Sequence, residues 1–233
     1  FILLFFYLKM AQSTISLKAM SRSVRDYLSI FRVGLPSLIR QGLTSVSNGV
    51  LNNLAKPFGD AAIAAISVVN RFSSFVMCVG LGIGQGYQPV AAFNYQAKEY
   101  TRVKKGLLFT IAFGGGLVGL LALFGICMPE TIISIFQKNE EVIEIGRYGL
   151  RIASVGVLFL PLSVSVNMLY QSIRKAGTAS FLALLRSGLI FIPVLIVFSQ
   201  VWGLNGILAA QPVSDFLSGI ISLPSVSYTH LTL

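Results

Sequence analysis

Six apolar stretches, at 34–56, 61–92, 106–129, 145–172, 179–200 and 203–223, take up most of this chain. Each meets the length of roughly 20 residues that an α-helix needs to cross a hydrocarbon core. In lipid every backbone N–H and C=O must be bonded inside its own segment or a closed barrel, so consecutive stretches of this kind leave few folds open. The pattern predicts an all-α polytopic membrane protein with six complete transmembrane helices. Composition agrees, because 55% of residues are hydrophobic and only 11% charged, against roughly 25% charged in a soluble domain.

The flanks read differently. The chain opens FILLFFYL, eight apolar residues with no initiating Met and no basic region in front. That is too short to span and lacks the build of a cleavable signal, so residues 1–8 are expected to be the tail of a preceding transmembrane helix. Residues 9–33 set Lys9, Lys18, Arg22, Arg25 and Arg32 among Leu17, Val24, Leu28 and Phe31, the pattern of a linker with an amphipathic helix on the cytoplasmic face. At the other end SVSYTHLTL, residues 225–233, is hydroxyl-rich and too short to form an element. It reads as a non-native tail.

Net charge is +10, yet the cations form no single patch with interleaved aromatics, which argues against nucleic acid. They occupy alternate loops instead. Residues 9–32 hold five basic residues, 95–105 hold four, and Arg174 with Lys175 form a third group; the opposite loops carry Lys56 with Asp60, then Lys138 among Glu130, Glu140, Glu141 and Glu144, then no charge at 199–205. By the positive-inside rule the basic loops are cytoplasmic. Enzyme chemistry has no cast here. The one histidine is His230, and Cys78 and Cys127 have no Cys or His at metal-binding spacing, so neither a metal site nor a nucleophile with its base can be assembled. Both cysteines are expected to be buried thiols.

Polar residues recur inside the apolar stretches with helical period. Gln41, Ser45, Asn48 and Asn52 share one face of the first span, and Asn70, Ser74, Leu81, Gln85 and Gln88, with Arg71 beside them, share a face of the second. Such stripes serve either a substrate-facing cavity or hydrogen bonding between helices. The fourth span adds Arg151, Ser154, Pro161, Ser165 and Met168. Phe72, Phe75, Met77 and Met168 would supply adaptable apolar surface to such a cavity.

The end of the second span alternates Gly80, Gly82, Gly84 and Gly86 before Pro89, which predicts a weakened helix acting either as a hinge or as a close-packing face. A dinucleotide fingerprint is ruled out there, because no strand precedes the glycines. Pro161 and Pro193 should kink the fourth and fifth spans. Asp215 is the one carboxylate within any span, with Gln211, Ser218 and Ser222 on its face. It either pairs with Arg71, Arg151 or Arg186 or exchanges an ion or proton; Arg186 itself is expected to snorkel to the cytoplasmic boundary.

The segments GLPSLIRQGLTS (34–45), VVNRFSSF (68–75), GIGQGYQPVAAFNY (82–95), RVKKGL (102–107) and QPVSDFLS (211–218) together resemble the multidrug and toxic compound extrusion (MATE) family, in its bacterial multidrug-export branch. The resemblance covers nearly the whole chain. It implies a twelve-helix transporter of two six-helix lobes around a central cavity, of which residues 34–224 would be the C-terminal lobe, with the N-terminal lobe as its missing partner. It further implies secondary active export of amphipathic or cationic small molecules across the bacterial cytoplasmic membrane, driven by H+ or Na+ and with no cofactor. Gln41, Asn48, Asn52, Asn70, Arg71, Gln85, Gln88 and Met168 are then the substrate-cavity candidates, and Gly82, Gly84, Gly86, Pro89 and Pro161 the hinge candidates; coupling would rest on acidic residues of the missing half, with Asp215 as the local candidate. Some members carry a glutamate in the seventh helix and an aspartate in the tenth, where this chain has Gln41, Asn48, Asn52 and Arg151 but no carboxylate. A flippase of lipid-linked saccharides from the same superfamily would need several cavity cations, for which Arg40, Arg71 and Arg151 are available. A membrane scaffold would leave the polar stripes unexplained.

Overall fold

The computed structural model describes residues 23–228, which are almost wholly helical. The expected helix tail at 1–8, the linker up to residue 22 and the end of the chain from 229 lie outside the described residues. The elements are α1 (Val24–Ala55), a 3-10 turn (Lys56–Phe58), α2 (Asp60–Gln96), α3 (Tyr100–Cys127), a short α4 (Pro129–Phe136), α5 (Glu140–Gly156), a 3-10 turn (Val157–Phe159), α6 (Leu160–Ser172), α7 (Ala176–Leu184), a π-helical turn (Leu185–Leu189) and α8 (Phe191–Tyr228). Residues up to Gly34 form one unit and those from Leu35 a second. In the first unit the described side chains from Ser23 to Phe31 are exposed. The helix at the far end continues through Ser225 to Tyr228, further than the hydroxyl-rich composition suggests.

Four stretches among the described residues are long and apolar enough to cross a membrane: Asp60–Gln96, Tyr100–Cys127, Glu140–Ser172 and Gly177–Ser222. Helix α1 is long enough, at ~48 Å for 32 residues, but its polar residues keep it out of that set. The fourth stretch, 46 residues, would extend ~69 Å if straight, about twice a bilayer core. It does not stay straight. Gly203 takes φ 56 and ψ −129, a conformation that costs glycine least, and beyond it Gly206 packs onto the backbone of Phe198. Arg186 and Asp215, 29 residues apart, consequently meet at 2.8 Å. The stretch is therefore a helical hairpin.

Breaks in the other helices also have local causes. Pro161 starts α6 just after the 3-10 turn, where its missing N–H removes no helical bond. Upstream of Pro193 the helix widens into the π turn, with Ile190 N–H donating to the Leu185 carbonyl at 3.0 Å, which accommodates the proline ring one turn later. Helix α2, by contrast, runs unbroken through Gly82, Gly84, Gly86 and Pro89. Gly84 is buried, and a Cβ on it would lie 3.0 Å from Met168 Cγ and 3.1 Å from Val164 Cγ1. At that position the glycine serves the close approach of α2 and α6. Gly82 and Gly86 are exposed and face open space.

Helix ends are closed by matching turns. After α2, Lys98 takes φ 60 and Glu99 N–H reaches the Asn94 carbonyl at 2.9 Å; after α6, Arg174 takes φ 59 and Lys175 N–H reaches the Tyr170 carbonyl at 3.0 Å. Both are Schellman turns in which a cation fills the left-handed position usually given to glycine. Helix α5 is capped by Asn139, whose side chain accepts from Glu141 N–H at 3.0 Å, and Arg147 of α5 holds Glu130 of α4 at 2.8 Å.

Packing follows membrane rules. Between apolar helices in lipid the gain comes from close contact: Val76, Val118, Ala122, Val157 and Leu160 form one buried cluster, and Gly125 lies against Phe72 and Ser154. The faces pointing away from the bundle are large and apolar, with Phe93 75%, Phe109 69% and Leu120 62% exposed. That much contiguous apolar surface suits lipid rather than water. Cys78 and Cys127, expected to be buried, are both exposed, because an apolar span presents part of its surface to lipid or to a cavity.

Gly156 and Gly82 separate packing from hinge roles. A Cβ on Gly156 would lie 2.5 Å from Pro212 Cα, so Gly156→Ala should cost about 1–3 kcal/mol. Gly82→Ala, with nothing within 4 Å, should be neutral or raise stability by about 0.5–1 kcal/mol. Thermal midpoints of the chain in detergent check this; equal shifts for the two would mean that the helix contacts are misassigned.

Candidate functional site

A cavity of about 260 Å³ opens in the second unit, among α1, α2, the 3-10 turn Val157–Phe159, the start of α6, the π turn and α8. The polar stripes reach it in part. Gln41 and Asn48 of α1 and Asn70 and Ser74 of α2 line it, since a helix with one polar stripe turns that stripe toward the one polar space available. Asn52, Arg71 and Gln85 are exposed but do not line it. Arg71 lies over the ring of Phe136 in α4, 5.9 Å from its centroid, and Arg151 is likewise exposed and not among the lining residues. The side chain of Arg40 lies outside the described residues.

Gln88 belongs to a different network. Its Nε2 donates to Gln171 Oε1 at 3.2 Å, Gln171 Nε2 donates to Asn167 Oδ1 at 2.8 Å, and Asn167 Nδ2 donates to the Ala179 carbonyl at 2.7 Å. This amide chain ties α2 to α6 and α7. Met168 is buried and faces a second, much smaller space of about 20 Å³ that it shares with Asn167, Ser163 and Arg186.

At the wall of the larger cavity stands an ion pair. Arg186 Nε donates to Asp215 Oδ1 at 2.8 Å, and Gln211 Nε2 donates to the same oxygen at 3.1 Å. The two charged side chains are only 16% and 4% exposed. Of the three arginines considered for Asp215, Arg186 is its partner, and it is held in the cavity wall rather than snorkelling away. The π turn that carries it is fixed on both sides: Ser214 Oγ donates to the Arg186 carbonyl at 3.1 Å, Ser47 Oγ donates to the Ser187 carbonyl at 2.6 Å, and Gly188 is pressed against Leu43 of α1.

Sequence periodicity did not single out Thr44, Ser47, Ser73 or Cys78, which also line the cavity. Serine and threonine carry little weight in a hydropathy pattern. Arg186 is one of three arginines the sequence offers to Asp215, and it becomes the partner once 179–223 folds back on itself near Gly203.

Comparison with known proteins gives a consistent outcome. The family model described as MatE matches residues 36–197. The multidrug export protein MepA of Staphylococcus haemolyticus is 24% identical over 202 residues, 82% of this chain and 43% of that protein. MepA of Staphylococcus saprophyticus is 23% identical over 229 residues, 96% of this chain and 49% of that protein. The chain thus spans about half the length of the curated relatives it matches. Among solved structures, an outward-facing multidrug resistance MATE family transporter superposes with a TM-score of 0.88 at 18% identity, covering 99% of this chain and 53% of the other. The Vibrio cholerae MATE transporter VcmN in its bent form superposes with a TM-score of 0.81 at 20% identity, over 91% and 49%. At these identities the superpositions establish the fold.

Breaking the ion pair from one side strands a buried charge. Asp215→Asn or Arg186→Gln alone should each cost about 3–5 kcal/mol, whereas the two changes together should cost much less. Thermal unfolding of the three variants in detergent reads the difference; additive losses would mean that the pair is not coupled.

Proposed function

Because the chain belongs to the MATE family of membrane transporters, which are not enzymes, we propose that it is the C-terminal six-helix lobe of a two-lobe, twelve-helix exporter. The single observation that carries this reading is the amide- and hydroxyl-lined cavity with an ion pair in its wall, set in an otherwise apolar helical unit. Counting α1 with its polar face, and both arms of the hairpin at Gly203, yields six crossings. A second lobe packed against this one would complete the cavity, and rocking of the two lobes would expose it alternately to the two sides.

The substrates are amphipathic or cationic small molecules. Gln41, Asn48 and Asn70 offer them hydrogen bonds, and Met77 offers a polarisable apolar contact. Transport is driven by exchange with H+ or Na+, with Asp215 as the local candidate for coupling and acidic groups of the N-terminal lobe as the others. The bilayer is the bacterial cytoplasmic membrane, with the turns at Lys98 and Arg174 on the cytoplasmic side. Gly82 and Gly86, which face open space, and the exposed Pro89 remain candidates for flexing during rocking. The flippase reading is weaker, because among the described side chains the cavity wall holds one cation, Arg186, already paired, and Arg71 and Arg151 do not line it.

Efflux of a fluorescent cationic dye from cells expressing the intact gene should fail when one ion gradient is collapsed and persist when the other is. Persistence with both collapsed would end the antiport reading. In the same assay Asn70→Ala should lower export roughly two- to tenfold, the loss of about one hydrogen bond, without lowering membrane abundance. Parallel loss of export and abundance would reduce Asn70 to a structural residue.

A further inference from the structure

The Arg186–Asp215 pair leaves one edge of each partner unfilled. Arg186 reaches the carboxylate through Nε alone, and its Nη1 finds only the Met77 sulfur at 3.3 Å, a weak acceptor. No hydrogen bond to Nη2 is made among the described residues. On the other partner, both hydrogen bonds, from Arg186 Nε and Gln211 Nε2, fall on Oδ1, and Oδ2 receives none from the described residues. The buried side-chain polar atoms without a partner among the described residues are Ser154 Oγ and Ser163 Oγ, so the unfilled edges of the ion pair are not sealed inside the protein. Arg186 and Asp215 both line the 260 Å³ cavity, and among the described side chains no other acidic or basic one does.

This lining is neutral as a whole but charged in its parts. A simple cation would find no net attraction, since Arg186 opposes it as closely as Asp215 favours it. A carboxylate, however, fits the open Nη1/Nη2 fork, the geometry in which arginine binds planar anions most strongly. We infer that the cavity selects zwitterionic small molecules, the ligand carboxylate docking on the Nη edge of Arg186 while the ligand's cationic group faces Asp215 Oδ2. Gln41, Asn48 and Asn70 serve the uncharged remainder. This rests on the cavity being a substrate site, and it narrows the substrate class from amphipathic cations to compounds that carry both charges.

The test uses two probes that differ by one group: tetramethylrhodamine as its free carboxylic acid, a zwitterion, and as its methyl ester, a cation. Fluorescence anisotropy with the full chain in phospholipid nanodiscs, corrected by empty nanodiscs, reads their affinities. The free acid should bind about tenfold tighter or more, as one charge-assisted bidentate contact provides. The double variant R186Q/D215N, which strands no charge, should bind both dyes equally. Equal or tighter binding of the ester to the unaltered chain would overturn the inference and leave the cavity as a substrate site. A preference for the acid that survives in the double variant would overturn its assignment to the pair. Failure of both dyes to bind, with Asn70→Leu without effect, would bring down the substrate-site reading itself.

Discussion

A charge can be kept in a low-dielectric interior only beside its counter-charge, and the bond between Arg186 and Asp215 imposes that condition on the second unit. To satisfy it, the last apolar stretch must fold back near Gly203 so that two side chains far apart in sequence meet. The π turn must then point the guanidinium inward, and Ser47 and Ser214 hold the carbonyls of that turn in place. The cavity is what remains when these requirements are met together. Its wall consists of the pair, the serines that hold the turn, and the polar faces of α1 and α2 drawn toward the same space.

The helices divide their surfaces by what each neighbour can accept. Phenylalanine and leucine cover the outward faces, where lipid is the solvent. Small residues such as Gly84, Gly156 and Ala122 line the contacts, where backbones approach closely. Amides gather at the cavity, as Gln41, Asn48, Asn70 and Gln211 do, and in the chain of bonds from Gln88 through Gln171 and Asn167 to Ala179. This second network lies away from the cavity and binds α2, α6 and α7 to one another. Polar residues within one apolar span thus take two roles, and only their partners tell them apart.

Much of this was legible in the sequence, and the failures have physical causes. Length and hydropathy suffice to show that the chain is built of long apolar helices, but not to separate six spans: α1 is too polar to qualify and 177–222 forms one stretch. Periodicity suffices to put Gln41, Asn48 and Asn70 on inward faces. It could not distinguish them from Arg71, one residue from Asn70, which turns to Phe136; a stripe's direction is known from the sequence but its width is not. The glycine run of α2 read as a weak helix because intrinsic propensity is measured in water, whereas in a packed bundle Gly84 is held by Met168 and Val164. Arg186 read as a snorkelling residue because its partner is adjacent only after the hairpin closes.

The turns at Lys98 and Arg174 tie two properties together that are usually separate. A lysine or arginine at φ near 60 costs backbone energy that glycine would not, so local stability alone would replace both. Glycine, however, would erase a positive charge from each of two loops whose charges orient the chain as it enters the membrane. Selection for a more heat-resistant protein and selection for faithful insertion therefore pull in opposite directions at the same two residues. A stabilised variant built by placing glycine at both is expected to pay in the fraction of chains inserted the wrong way round.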